Sequence, residues 1–139
     1  MTREDRFPRH AGTVAELVRQ YDWSKTSVGT ITSWPAALRN SVETVTATTF
    51  PMILCWGQDL LVCAYNDAYV PLLGQKGHVL GRPFLDVWSE ARETIAPQLE
   101  RALRGEACFF EGAPFTLTRR GAREHAFFDY SFSPVRDDA

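Results

Sequence analysis

Hydrophobic and polar positions alternate along this chain with two different periods, and the switches between them mark its elements. Val14, Leu17, Val18 and Tyr21 recur at i, i+3, i+4 and i+7, one apolar stripe of a short helix. Thr13-Val14-Ala15-Glu16 reads as a capping box at its start. A loop through Gly29 leads to Ser33, read as the cap of a second helix with Pro35 in its first turn and Leu38, Val42 and Val45 on its buried side. The threonines between Thr44 and Thr49 weaken the end of that helix, and Pro51 opens an extended region.

Met52–Trp56 and Leu60–Tyr65 are apolar at nearly every position, the pattern of strands covered on both faces. Asn66 then caps a short helix ending near Gly74, a role worth about 1 kcal/mol. Phe84, Val87 and Trp88 follow the Gly81-Arg82-Pro83 break at one-turn spacing. Residues 89–104 carry the longest helix, with Ile95, Leu99, Ala102 and Leu103 in phase and Gly105 stopping it. Pro97 inside this pattern predicts a kink or a later start near Thr94. Cys108–Thr118 is a strand interrupted at Gly112 and Pro114, which predicts a bulge or an edge position. After a turn at Arg120-Gly121 the last strand alternates cleanly: Ala126, Phe128, Tyr130 and Phe132 on one face, Phe127, Asp129 and Ser131 on the other.

The order is two leading helices, then β-β-α-α-α-β-β. Four places in it resemble the PAS domain, a sensory module of bacterial signalling proteins: the strand-to-helix junction Trp56-Gly57 … Tyr65-Asn66-Asp67-Ala68-Tyr69, the break Gly81-Arg82-Pro83-Phe84, the helix exit Ala102-Leu103-Arg104-Gly105-Glu106, and the strand end Tyr130-Ser131-Phe132-Ser133-Pro134-Val135-Arg136-Asp137. The leading segment DWSKTSVGTITSWPAALRNSV is similar to the N-terminal extension found at the start of multidomain histidine kinases. The resemblance implies an α+β fold: an antiparallel sheet with crossing helices on one face, preceded by two N-terminal helices. It divides the chain into a frayed terminus (1–12), a helical extension (13–49) and a PAS core (50–139).

The resemblance also implies a fifth strand between the first and the fourth, and too few residues follow Pro134 to form it. An empty central slot would leave two rows of backbone donors and acceptors unpaired. The expectation is that the core is truncated before its last strand, with a neighbouring chain in the slot or the two flanking strands paired directly.

Composition narrows the function. The 139 residues, 45% hydrophobic and 12% aromatic, are those of one globular domain. A formal charge of −2, with Arg119-Arg120 the only adjacent basic pair, gives no nucleic-acid footprint, and that pair reads as a solvated turn. Cys55, Cys63 and Cys108 lie in apolar runs without CxxC spacing, as reduced core residues of a cytoplasmic protein. No window is long and apolar enough for direct membrane insertion.

Candidate chemistry is sparse. Asp86, Glu90 and Glu93 read as a solvated helix face, and Ser131 and Ser133 have no histidine at a triad spacing. LOV-type flavin chemistry is argued against because GRPFLDVW holds no cysteine. Haem is argued against because residues 89–106 hold no histidine, His78 and His125 fall on a loop and a strand, and His10 is terminal. No metal site is expected, and the chain itself is expected to be non-enzymatic, its catalytic output lying in a downstream domain.

What remains is aromatic. Trp56, Tyr65, Tyr69, Phe84, Trp88, Phe110, Phe128 and Tyr130, with Phe132, should converge between sheet and helices. In the resembling fold that space is a ligand pocket, here for a small molecule of unknown identity; the alternative is that the rings simply fill the core. The functional expectation is a sensory or regulatory module of a bacterial signal-transduction protein, a histidine kinase, that senses a small molecule or a partner, relays a conformational change and pairs with a second copy as a homodimer. The second reading is a ligand-free dimerisation domain using Ile53, Cys55 and Phe127 on an outer strand face.

Overall fold

The computed structural model describes residues 7–9 and 12–137. In chain order it forms α1 (Thr13–Gln20), α2 (Ala36–Ala47), β1 (Ile53–Trp56), β2 (Leu61–Tyr65), α3 (Val70–Leu73), α4 (Phe84–Val87), α5 (Arg92–Leu103), β3 (Cys108–Leu117) and β4 (Glu124–Phe132). The architecture is α+β with two antiparallel strand pairs, β1–β2 and β3–β4.

Every residue of β2 is buried. The helices α1 and α2 lie against the β1–β2 pair and bury Val14, Val18, Leu38, Val42 and Val45. On its other edge β2 meets the 81–84 segment: Val62 N donates to Arg82 O at 2.9 Å, Gly81 N to Val62 O at 2.9 Å and Phe84 N to Leu60 O at 2.9 Å. Gly81 has φ +78, and a Cβ there would stand 2.0 Å from the Tyr21 hydroxyl oxygen. The break before α4 is therefore a place where backbone, β2 and the end of α1 meet without room for a side chain.

The irregular stretch between α1 and α2 is held by its tryptophans. Trp23 Nε1 donates to Val18 O at 2.9 Å and Trp34 Nε1 to Gly29 O at 2.8 Å, and the two rings meet edge to face at 5.1 Å. Phe7 packs edge-on against Trp34, with the Arg39 guanidinium 4.3 Å over its ring. Phe7 and Pro8, inside the segment expected to be frayed, find apolar cover. Residues 1–6, 10 and 11, and with them His10, lie outside the described residues.

Two caps differ from the sequence expectation. Thr13 is the first helical residue of α1, Gly12 holds the N-cap position without a side-chain bond, and Glu16 turns to Arg19 and Gln20 instead of closing a capping box. Before α2, Ser33 Oγ donates to Thr30 O within a 3-10 turn, and Pro35 takes the cap position. In α5 the helix starts at Arg92, two residues before Thr94, with Pro97 in its second turn. It ends as a Schellman motif: Glu106 N donates to Arg101 O at 3.0 Å and Gly105 N to Ala102 O at 2.9 Å, with Gly105 at φ +93.

The β3–β4 register shifts between Phe110 and Ala113, around Gly112 at φ +61, whose amide donates to Asp129 Oδ1 at 2.7 Å. In β4 burial alternates along the strand, with Ala126, Phe128, Tyr130 and Phe132 inward.

Asn66 carries four side-chain hydrogen bonds. It is 2% exposed. Its Oδ1 accepts from Met52 N at 3.2 Å and Tyr69 N at 3.1 Å, and its Nδ2 donates to Thr48 O at 2.8 Å and Phe50 O at 2.6 Å. It caps the 3-10 turn Asp67–Tyr69 and at the same time ties down the strand entry. Removing it strands buried backbone groups as well as losing a cap. Asn66→Ala is expected to lower the unfolding free energy by about 2–4 kcal/mol rather than the ~1 kcal/mol of a cap alone. Asn66→Asp should not restore it, since a carboxylate cannot donate to the Thr48 and Phe50 carbonyls. Urea titration checks both; a loss of about 1 kcal/mol or less in Asn66→Ala would refute the wider role.

Candidate ligand cleft

A hollow of about 1170 Å³ lies between the two strand pairs and is closed behind by the crossing helices. Residues 50–58 and 128–137 line it consecutively. Only alternate residues of a strand share a face, so unbroken runs mean that these walls are the edges of β1 and β4. The two strands do not pair, which corrects the second of the two expected arrangements, direct pairing of the flanking strands. A bulge between Leu54 and Cys55, the tie of Asn66 to Met52 and the pairing of β2 with Pro83 fix the first pair, while α5 and the end of α3 fix the second.

Of the aromatic candidates, Trp56, Tyr69, Phe84, Trp88, Phe128 and Tyr130 line the cleft, as does Phe132. Tyr65 does not. It is fully buried with its hydroxyl accepting from Val79 N at 3.2 Å and bonded to His78 Nδ1 at 2.9 Å, so the loop carrying His78 is anchored from beneath. Phe110 stacks on Tyr130 at 5.2 Å beside the bulge, outside the lining. Trp56 also borders a smaller hollow of about 530 Å³ toward Val28 and Pro35. Ile53 and Cys55, expected on an outer face, line the cleft instead, because α1 and α2 cover the other side of the pair. Phe127 is outward, 72% exposed.

The polar tips in the cleft are already partnered. Trp88 Nε1 donates to Tyr69 Oη at 3.0 Å, and Tyr130 Oη donates to Gln98 Oε1 at 2.7 Å. Burial holds the Tyr69 and Tyr130 phenols above their ordinary value, so both stay neutral donors or acceptors. Burial also raises the Cys55 thiol and pushes Cys63 up to about 12, which removes nucleophilic thiolate. No buried side-chain nitrogen or oxygen among the described residues lacks a partner. Among them, no three His, Cys, Asp or Glu side chains are grouped to hold a metal ion. The surface offers apolar area, two neutral hydrogen-bonding pairs, backbone edges and the exposed polar side chains of Arg104, Asp129, Ser131, Ser133, Arg136 and Asp137. At its mouth Phe50, Met52, Leu103 and Val135 remain exposed.

Two side chains read from the sequence as solvated prove to be structural bolts. Glu90, its side chain 10% exposed, pairs with Lys76 at 2.9 Å and accepts from Thr118 N and Oγ1, each at 3.1 Å. Lys76 in turn lies 5.1 Å over the Trp88 ring. Arg119, 7% exposed, donates to Leu72 O at 2.8 Å and to Glu124 at 3.0 Å, with Phe128 beneath it. Its own carbonyl accepts from Gln75 N at 2.6 Å, and a Cβ on Gly74 would sit 2.6 Å from that oxygen. No local pattern marks the bonds from Glu90 to Thr118 or from Arg119 to Leu72, since these partners lie in distant segments. Arg120 and Asp86 are exposed, the latter paired with Arg92 at 2.7 Å.

Burial alone would raise the Glu90 carboxyl, but Lys76 and Thr118 outweigh it and hold it below the usual carboxylate range. A carboxylate lowered in the folded state stabilises the protein above its ordinary value and loses that contribution as pH falls through the lowered one. Glu90→Gln is therefore expected to flatten the acid limb of stability below about pH 5. Urea midpoints from pH 3 to 7 check this; an unchanged slope in the variant would refute it.

No helix among the described residues is long and apolar enough to cross a membrane. No curated protein matches the chain. A family model described as PAS fold matches residues 48–139.

Proposed function

This chain belongs to the PAS fold family, and from that premise we propose that it is the small-molecule sensor of a bacterial signal-transduction protein, with a histidine kinase as its output. Membership gives a sensory or regulatory module; the cleft is the observation that carries the rest. Its volume can hold a drug-sized ligand, its walls are mostly apolar, and the polar ends of Tyr69, Trp88 and Tyr130 are fixed in orientation. The best-fitting ligand is largely apolar, with a hydrogen-bonding group that competes for the Tyr69–Trp88 pair. It acts by differential affinity: occupation favours one of two arrangements of the N-terminal helices against the sheet, and the difference passes to the output domain.

The test is direct binding to the intact chain. Native mass spectrometry is expected to find a retained small molecule, and 8-anilinonaphthalene-1-sulfonate is expected to bind one to one while near-UV circular dichroism stays native. Ile95, 4% exposed on the cleft wall, offers a blocking site. Ile95→Trp should weaken dye binding at least about tenfold, or Leu99→Trp where the first variant fails to fold. Equal affinity in a folded blocking variant, or no binding to the wild type, refutes the reading.

A second reading, a dimerisation module, is favoured by the outer face of β3–β4, where Phe109 and Phe127 are 65% and 72% exposed. The unpaired edges of β1 and β4 are a further place for a neighbouring chain. Sedimentation distinguishes the two surfaces: Phe127→Asp should dissolve a dimer built on the outer face and leave one built on the strand edges intact.

A further inference from the structure

The helix α1 begins with Gly12 at its cap position and so has no local acceptor for its first amides. Asp67 supplies one from far along the chain: its Oδ2 accepts from Thr13 N at 3.1 Å and its Oδ1 from Val14 N at 2.9 Å. Asp67 opens the 3-10 turn whose last residue is Tyr69. Tyr69 reaches the other way, into the cleft, where its hydroxyl accepts from Trp88 Nε1. Between them the turn is pinned by Asn66, which bonds the Tyr69 amide. One rigid turn thus holds the N-terminal helix with its first side chain and touches the cleft with its third.

We infer that Asp67 is the coupling residue through which the cleft controls α1. The inference rests on the cleft being a ligand site. An occupant that takes over the Trp88 or Tyr69 hydrogen bond tilts this turn, and the tilt is felt at two bonds that lie at the mouth of a helix of only eight residues. A helix of that length does not hold itself together in water, so its order depends on tertiary support and capping. Two hydrogen bonds from one carboxylate are a large part of that support, and Gly12 offers no substitute. Loosening them frees α1 without unfolding the sheet.

Hydrogen exchange of the full chain, read by mass spectrometry, tests this in four proteins: wild type, Trp88→Phe, Asp67→Ala and the double variant. Exchange in β3–β4 serves as the internal reference for global stability. Trp88→Phe removes the donor to Tyr69 and is expected to speed α1 exchange roughly fivefold over that reference, the scale of a lost cap. In the Asp67→Ala background, where α1 is already fast, Trp88→Phe should add less than about twofold. Tyr69→Phe takes the place of Trp88→Phe if the latter does not fold. No effect on α1, or an equal effect with and without Asp67, overturns the coupling. Exchange of the wild type with 8-anilinonaphthalene-1-sulfonate separates the two claims: dye that binds without moving α1 defeats the coupling, whereas a chain that binds no dye defeats the ligand reading and leaves the four-protein result to decide the coupling.

Discussion

Four hydrogen bonds converge on the buried side chain of Asn66, and the positions of three segments follow from them. Both of its donor hydrogens go to carbonyls between α2 and β1, and its oxygen serves one amide before β1 and one in the turn after β2. An amide group is the smallest side chain that can donate and accept in this way at once. With it in place the entry to β1, the exit from β2 and the start of the crossing helices have fixed relations. The β1–β2 hairpin, only four and five residues per strand, could not fix them alone.

From that junction the molecule builds two strand pairs that face each other without joining. The helices α1 and α2 cover the first pair, and Glu90, Arg119 and the Tyr130–Gln98 bond hold the second against the crossing helices. The cleft exists because each pair is anchored to the helices separately. Its aromatic walls are apolar because the polar ends of Tyr69, Trp88 and Tyr130 are taken up by one another and by Gln98.

Local patterns in the sequence carried most of the elements: the period-two burial of β4, the bulge at Gly112, the Gly105 stop and the Asn66 cap all rest on neighbours within a few residues. The α+β architecture followed from their order. Most of the misses trace to a partner remote in sequence, whereas Ser33 turned to its near neighbour Thr30. Thr13 and Glu16 have the spacing of a capping box, but Asp67 takes the amides. Glu90 and Arg119 look solvated until Lys76, Thr118, Leu72 and Glu124 come to meet them. Ile53 and Cys55 could not be assigned to a face until the N-terminal helices were seen to cover the opposite one. The aromatic residues predicted for the cleft were identified by type, and type cannot tell that Tyr65 points down to His78 while Tyr69 points inward.

Gly81 has a consequence for how such a chain can change over evolutionary time. The break it opens is recognisable because Tyr21, Val62 and the turn before α4 leave no space for a side chain. Its presence is thus demanded by assembly of the fold and is indifferent to what the cleft holds. The cleft walls at β1, α5 and β4 answer to a separate constraint, because they face open volume. Substitutions there can alter the shape and polarity of the cleft while the recognisable pattern stays as it is, so the framework and the cleft of this domain are free to evolve at different rates.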